Sequence, residues 1–464
     1  MNNYKKLINN SLIFAIGNLG SKLIVIILVP MYTYYMTTSD YGMVDILTTT
    51  VNMLLPIISL SVFDAVLRFT MDRETDNKKV FTNAVLITFV GSLIVIFSYP
   101  LILKLNIFPS NLPYLYSILI LQSYQSLFAQ YIRATGKIKI YAANGILTAI
   151  ITAIVNVFLL VFLNLGIKGY LISMIIATLA SVLFLVLNIQ ITKCFALSKI
   201  DTEVIKKLLT FSIPLMPNAM MWWVVNASNR YFILFFIGTS VNGLFAVANK
   251  IPSLLSIIQS IFFQAWQMSA IEEFDSGDKS KFYSNIFEIF SVIMIIGTSF
   301  ILVILKRIMY YLVAPNFFSS WELVPFLLMG ILFSSFSSFL GTNYIAAKKT
   351  KGVLKTSLVG AIVNVVCCFI FIPWIGANGA GIATMISFFS IWIIRYFDTK
   401  KFIKMEINFK KLLINSTIIF TQIFILYNTT INKFETFFEI ALFVLLIFMN
   451  REVFCIIVNK ITKK

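Results

Sequence analysis

The sequence predicts an all-α polytopic membrane protein of about 14 transmembrane helices. Two six-helix lobes point the same way and two further helices follow, with both termini in the cytoplasm. Three observations predict this. Hydrophobic residues make up 59% of the 464 positions and charged residues 12%, against about 25% charged in an ordinary soluble domain. The apolar positions fall into runs of the length a bilayer needs, roughly 20 residues for a hydrocarbon core of about 30 Å. The chain also repeats itself.

Taken in order, the first run covers 9–36 and follows the basic stretch MNNYKK. Lys22 interrupts this run, and no compact apolar stretch ends in a small-residue cleavage site, so it is expected to remain as a spanning helix. Runs at 41–69, 80–104, 112–134, 142–164 and 168–192 complete a first lobe, 1–199. A second lobe, 200–405, holds runs at 208–238, 241–270, 282–305, 321–346, 355–375 and 379–399. Runs at 410–428 and 434–455 form the final pair within 406–464. The longest polar connections are 10–16 residues, too short for an inserted soluble domain.

Lys and Arg in the connections set the orientation. With the N-terminus inside, 28 of them fall in inner segments and five in outer ones: Lys104, Lys168, Lys306, Arg307 and Lys433. The net charge of +18 is thus a topology signal, and nucleic acid is not an expected partner. The chain has no histidine, and its four cysteines (Cys194, Cys367, Cys368, Cys455) form no C-x-x-C pair. His-based catalysis, a zinc site and a disulfide framework are not expected, and neither is a cofactor or metal.

The repetition is local and ordered. AIVNV occurs at 153–157 and 361–365, each copy followed by a glycine turn, LGIKG (165–169) and IGANG (375–379), and then by SMI (173–175) and TMI (384–386). TTSDYG (37–42) precedes GTSVNG (238–243), and KVFTN (79–83) precedes KFYSN (281–285), at offsets of about 200–210. Six helices per copy is an even number, so the copies share one orientation. Transporters of this type hold substrate between the halves.

Three cations lie inside the runs: Lys22, Arg230 and Lys250. A charge at the centre of a spanning helix costs about 2.5–3.5 kcal/mol on insertion scales and is tolerated facing protein or a wet cavity. Two readings stand. They line a cationic cavity that receives an anion, or they are structural partners of acids such as Asp45 and Glu288, which are also the candidate coupling-ion residues. Arg68 sits at a helix end, where it can snorkel, with Asp64 at the i, i+4 spacing of a local pair. Asn156 and Asn364, the repeated asparagines, are expected to hydrogen-bond between helices and are secondary candidates for substrate contact.

The stretches FSIPLMPNAMMWW (211–223), NRYFILFFIG (229–238), ANKIPSLLSII (248–258) and QAWQMSAIEE (264–273) resemble the bacterial polysaccharide repeat-unit flippases. So do GNLGSKL (17–23), PMYTYY (30–35) and YGMVD (41–45). These flippases serve O-antigen, capsule and exopolysaccharide synthesis within the multidrug/oligosaccharidyl-lipid/polysaccharide exporter superfamily. The resemblance implies 14 helices and no catalytic activity. It implies as substrate an undecaprenyl-pyrophosphate-linked oligosaccharide, moved from the inner to the outer leaflet of the bacterial plasma membrane by alternating access. Membrane lipids and the polymerase and chain-length proteins of the same pathway are the partners it implies. The position before Arg230, often aspartate in that family, is Asn229 here. The alternatives are a lipid II flippase, a cation-coupled multidrug exporter, whose cationic substrates a Lys/Arg-lined cavity would repel, and a membrane-embedded polysaccharide polymerase.

Overall fold

The computed structural model describes residues 24, 26–71, 76–106, 108–190, 194–272, 279–347, 350–429 and 433–452. Among them every regular element is helical. Two compact units divide at Trp223 and Val224.

In the first unit the order is α1 (Val29–Tyr35), α2 (Thr38–Ile58), α3 (Val62–Thr70), α4 (Asn77–Lys104), α5 (Leu112–Ala134), α6 (Ile138–Asn156) and α7 (Gly166–Ile189). A wider π-type turn extends α6 over Val157–Phe162. Then come α8 (Thr202–Ser212) and α9 (Leu215–Phe236), the division between the units falling within α9. The second unit continues with α10 (Thr239–Ala248), α11 (Lys250–Glu272), α12 (Lys279–Leu312), α13 (Val324–Ala346), α14 (Thr350–Ile375), α15 (Asn378–Thr399), α16 (Phe409–Asn428) and α17 (Lys433–Met449). Ten segments among the described residues are long and apolar enough to cross a membrane. Of the other predicted runs, 9–36 and 434–455 hold the short helices α1 and α17, 208–238 holds α8 and α9, and α5 fills the run at 112–134.

The predicted run 41–69 is not one helix. Pro56 has no N–H for the carbonyl of Asn52, and the helix opens at Ser59–Ser61 before α3 begins. Leu60 and Ser61 take left-handed backbone angles there (φ 48° and 51°), uncommon for residues with a Cβ. The freed groups are satisfied locally, with the Ser61 N–H on the Pro56 carbonyl at 2.9 Å and the Ser59 hydroxyl on the Leu55 carbonyl at 2.6 Å. The Ile58 carbonyl at the broken end abuts Gly91 on α4, where a Cβ would overlap it. The run 208–238 is likewise divided at Ile213–Pro214 between α8 and α9. By contrast α10 and α11 meet at Asn249, which keeps helical angles and bonds back to the Phe245 carbonyl at 3.0 Å.

The repeats have a physical meaning in each copy. TTSDYG and GTSVNG both start a helix, α2 capped by the Thr37 hydroxyl on the Asp40 N–H (3.1 Å) and α10 entered through Gly238 at φ 126°. In the two glycine turns the first glycine is left-handed, Gly166 at φ 51° and Gly376 at φ 66°. The second glycine admits a close approach: a Cβ on Gly169 would lie 3.0 Å from Leu165 Cβ, and one on Gly379 would lie 2.5 Å from the Phe371 carbonyl carbon. KVFTN and KFYSN dock the link that leaves each six-helix set. The Thr82 hydroxyl accepts from the Ala196 N–H at 3.2 Å, and the Ser284 hydroxyl accepts from the Glu406 N–H at 2.9 Å.

In the first copy two crossed ion pairs reinforce the docking, Lys79–Asp201 at 2.7 Å and Lys199–Asp76 at 3.2 Å. Asn83 adds its amide to the Lys199 carbonyl (3.1 Å) and accepts from the Asp201 N–H (3.0 Å). The Asp76 carboxyl is held below the usual range by the Lys78 backbone N–H and then by Lys199, and the Asp201 carboxyl by the Lys79 ammonium and the Glu203 N–H.

Two predictions follow from this packing. Gly379→Ala and Gly91→Ala should each destabilise by at least the 1–3 kcal/mol typical of overpacking. Gly145→Ala, where a Cβ meets nothing within 4 Å, should be neutral or stabilise by about 0.5–1 kcal/mol. Thermal unfolding of the purified variants measures both. Because the Asp76 and Asp201 values are lowered on folding, the clamp contributes above the ordinary aspartate value of about 3.9 and is lost as pH falls below it through the folded values. Hydrogen exchange of the Ala196 and Asp201 amides, corrected for intrinsic rate, should lose protection in that acid window. Asp201→Asn should show the weakened clamp already at neutral pH.

Candidate functional site

Each unit carries a buried polar cluster built around a repeated asparagine. In the first, Asn156 is wholly buried on α6, donates from Nδ2 to the Tyr32 hydroxyl of α1 at 3.0 Å and accepts from the Ser173 hydroxyl of α7 at 2.8 Å. The Tyr32 ring packs against Tyr170 and Tyr41 with centroids 4.9 and 6.1 Å away. Asp45, one turn beyond Tyr41 on α2, is half-buried and lies close enough to Tyr41 and Tyr170 to act on them electrostatically.

In the second unit, Asn364 on α14 accepts from the Ser228 hydroxyl of α9 at 3.1 Å, while its own Nδ2 is buried without a hydrogen-bond partner. Asn229, also on α9, donates to the Thr384 hydroxyl (2.6 Å) and the Ala380 carbonyl (3.3 Å) of α15 and accepts from the Cys368 thiol (3.0 Å). The equivalence of SMI and TMI is therefore structural: Ser173 and Thr384 each bring a hydroxyl to the cluster of their own unit. Asn229 acts as donor and acceptor at once, which an ionised aspartate at this position could not do.

The predicted site residues fall as follows. Arg230 is half-buried on α9 with its guanidinium carbon 5.9 Å from the centre of the Phe245 ring of α10. Lys250 is half-buried as the first residue of α11. Lys22 lies outside the described residues. Arg68 is exposed at the end of α3, and no ion pair among the described residues joins it to Asp64, so the expected i, i+4 pair is not formed. Glu288 is bound to Lys411 at 2.7 Å. That pair lies in the wall of a cavity of about 700 Å³ between α12, α16 and the link joining α15 to α16, which also receives Ser284, Lys404, Glu406 and Asn415. Asn156 and Asn364 make the interhelical bonds expected of them.

Four charges were misplaced or missed by the sequence reading. Arg395, counted with the inner connections, is only 1% exposed within α15 and reaches the Thr356 hydroxyl (2.9 Å), the Ser337 carbonyl (2.8 Å) and the Ser357 hydroxyl (3.1 Å). Lys306, counted with the outer connections, is buried against Glu435 at 3.1 Å. Glu435 and Glu439 lie inside the last predicted run, and both are buried. Deep acids are therefore not confined to Asp45 and Glu288. The signal available in the sequence was the i, i+4 spacing of two glutamates in an otherwise apolar helix. Nothing in the local sequence of Arg395 marked its depth.

The structure defines a class: a polytopic membrane protein with the fold of the flippases and transporters of the MOP superfamily. It superposes on lipid II flippase MurJ in an inward closed conformation with a TM-score of 0.73 at 13% identity, covering 96% of this chain and 98% of that one. It is also similar to an inward-facing multidrug resistance MATE family transporter of the MOP superfamily (TM-score 0.68, 12% identity, 83% and 93% covered). A third similar structure is a MOP superfamily transporter from Pyrococcus furiosus (TM-score 0.58, 11% identity, 85% and 94% covered). No curated protein sequence matches the chain. The family described as polysaccharide biosynthesis protein matches residues 7–270, and the chain belongs to that family.

The two asparagine clusters differ in how completely they are satisfied, and this can be measured. Asn156→Leu should cost about 1–3 kcal/mol, because it removes the hydrogen-bond partner of the buried Tyr32 hydroxyl. Asn364→Leu should cost less, because it also removes the buried, unpartnered Nδ2. Unfolding midpoints of the two variants in detergent test the order.

Proposed function

We propose that this protein is a flippase that moves a pyrophosphate-linked oligosaccharide repeat unit from the inner to the outer leaflet of the bacterial plasma membrane by alternating access, for surface polysaccharide synthesis. The carrier is undecaprenyl, as the sequence resemblance implies. The observation that carries the reading is that Arg230 and Lys250 are half-buried on α9 and α11 within a chain whose residues 7–270 match the polysaccharide biosynthesis family. Lys22 is proposed as a third cation. Asp45 and the Glu288–Lys411 pair remain the candidates for a coupling ion.

A pyrophosphate carries about two negative charges. At 4 Å and an effective dielectric near 20, each contact with a cation gains about 4 kcal/mol before desolvation. This exceeds the roughly 2.5–3.5 kcal/mol cost of placing each cation in the membrane. The substrate's charge is opposite to that of the cations, and its lipid tail can stay in the bilayer. Release requires water to re-enter, because an anion held by dehydrated cations dissociates slowly.

A lipid II substrate is the second reading, supported by the similarity in fold to a lipid II flippase over nearly the full length of both chains. The two separate in cells. Loss of a repeat-unit flippase removes a surface polysaccharide and strands lipid-linked repeats on the inner leaflet, whereas loss of a lipid II flippase arrests cell-wall synthesis.

In reconstituted vesicles, Arg230→Gln and Lys250→Gln should each lower the rate of oligosaccharide translocation on the order of tenfold or more, with thermal unfolding unchanged. Arg230→Lys should retain part of the rate. Full activity in the Arg230→Gln/Lys250→Gln double variant would exclude the proposed anion contact.

A further inference from the structure

Helices α16 and α17 lie outside the six-helix repeat, yet the contact of α17 with α12 contains a set of buried charges that do not cancel. Lys306 of α12 is 5% exposed, sits 3.1 Å from Glu435 Oε1 of α17 and donates to the Thr429 carbonyl at 2.6 Å. Its ammonium also rests 4.5 Å from the centre of the Trp321 ring. One turn further along α17 lies Glu439, 1% exposed. Its Oε2 accepts from the Gln422 amide of α16 at 3.0 Å, and Gln422 is held in that orientation by the Ser299 hydroxyl of α12 at 2.7 Å. The other carboxyl oxygen, Oε1, is buried and has no hydrogen-bond partner among the described residues. The charged groups acting on Glu439 are Glu435 from its own helix and Lys306 from α12, while α16 contributes the neutral Gln422. Two carboxyls thus face one ammonium.

We propose that Glu439 is a proton-binding site: its carboxyl takes up and releases a proton where a second cation is lacking. An ionised carboxylate out of water needs a matching charge and donors for both oxygens. The ammonium of Lys306 is already engaged by Glu435, a carbonyl and an indole face, and Gln422 supplies one donor to Glu439. A proton on Oε1 removes the excess charge and turns the unpartnered acceptor into a donor. Glu439 lies six residues from the start of α17, roughly 9 Å along the helix. The distribution of Lys and Arg assigns that end to the outer face, so this carboxyl would respond to external pH. The site is independent of the cations proposed to meet the substrate, and it would make the docking of the final helix pair onto α12 sensitive to protonation.

Infrared difference spectra of the full chain in lipid nanodiscs, recorded from about pH 5 to about pH 9, the range in which buried glutamates are known to titrate, test this directly. The expected result is a protonated-carboxyl C=O band that fades as pH rises and is missing in Glu439→Gln, a neutral replacement of the same shape. Glu435→Gln, read in parallel, should lower the midpoint of that band by about one unit or more, a tenfold loss of proton affinity, because Lys306 then has Glu439 as its carboxylate. Sodium should leave the wild-type band unchanged. Spectra in which wild type and Glu439→Gln do not differ at any pH would overturn the proposal. So would an unshifted midpoint in Glu435→Gln, or a band removed by sodium and indifferent to pH, which would assign the site to a metal cation.

Discussion

The constraint on which the rest of this structure depends is that polar and charged groups inside a hydrocarbon slab must be satisfied by the protein itself. Each unit meets it by gathering its polar side chains inward. The apolar exteriors of α4, α7 and α14 carry Phe97, Leu187 and Trp374, each more than three-quarters exposed. Inside the second unit, Arg395 is the extreme case, a guanidinium held by two hydroxyls and a backbone carbonyl. Charge-assisted hydrogen bonds of about 1.5–3 kcal/mol each offset part of its desolvation, and they fasten α15 to α13 and α14. Gly341 leaves room for this, since a Cβ there would lie 2.8 Å from a guanidinium nitrogen.

Internal duplication extends this solution to two lobes. The conserved pieces of the repeat are those for which few side chains serve: a left-handed glycine, a second glycine at a close backbone approach, an asparagine that donates and accepts, and a hydroxyl that docks the departing link. Around them the copies have diverged. The first lobe surrounds Asn156 with tyrosines and tightens its link with two exposed ion pairs. The second surrounds Asn364 with Ser228 and Cys368, and lines the cavity beside its link with both signs of charge.

Much of the fold was legible in the sequence because hydropathy and run length are local signals. The repeat motifs keep their order along the chain, while the two compact units divide at Trp223 and Val224. The opening at Ser59–Ser61 was not legible. Pro56 marks a weak point, but the broken end also meets Gly91, which leaves room for the Ile58 carbonyl, a contact between residues far apart in the chain. Arg230 and Lys250, which interrupt long apolar runs, are half-buried. Buried charges were misread near run ends, where Lys306 and Arg395 are indistinguishable from loop residues until the packing of α12–α17 is known. Asn229 was noticed as a departure from an expected aspartate, and its simultaneous bonds to Thr384, Ala380 and Cys368 account for it.

The central proposal is that Arg230 and Lys250, with Lys22, meet an anionic lipid headgroup. The most direct measurement compares, in vesicles containing the purified protein, translocation of one oligosaccharide carried on a pyrophosphate-linked polyprenol with that of the same oligosaccharide on an uncharged polyprenyl carrier. Rapid movement of the pyrophosphate form and near-background movement of the neutral form is the predicted result. Equal rates for the two carriers, or export of a cationic drug in place of either, would contradict it.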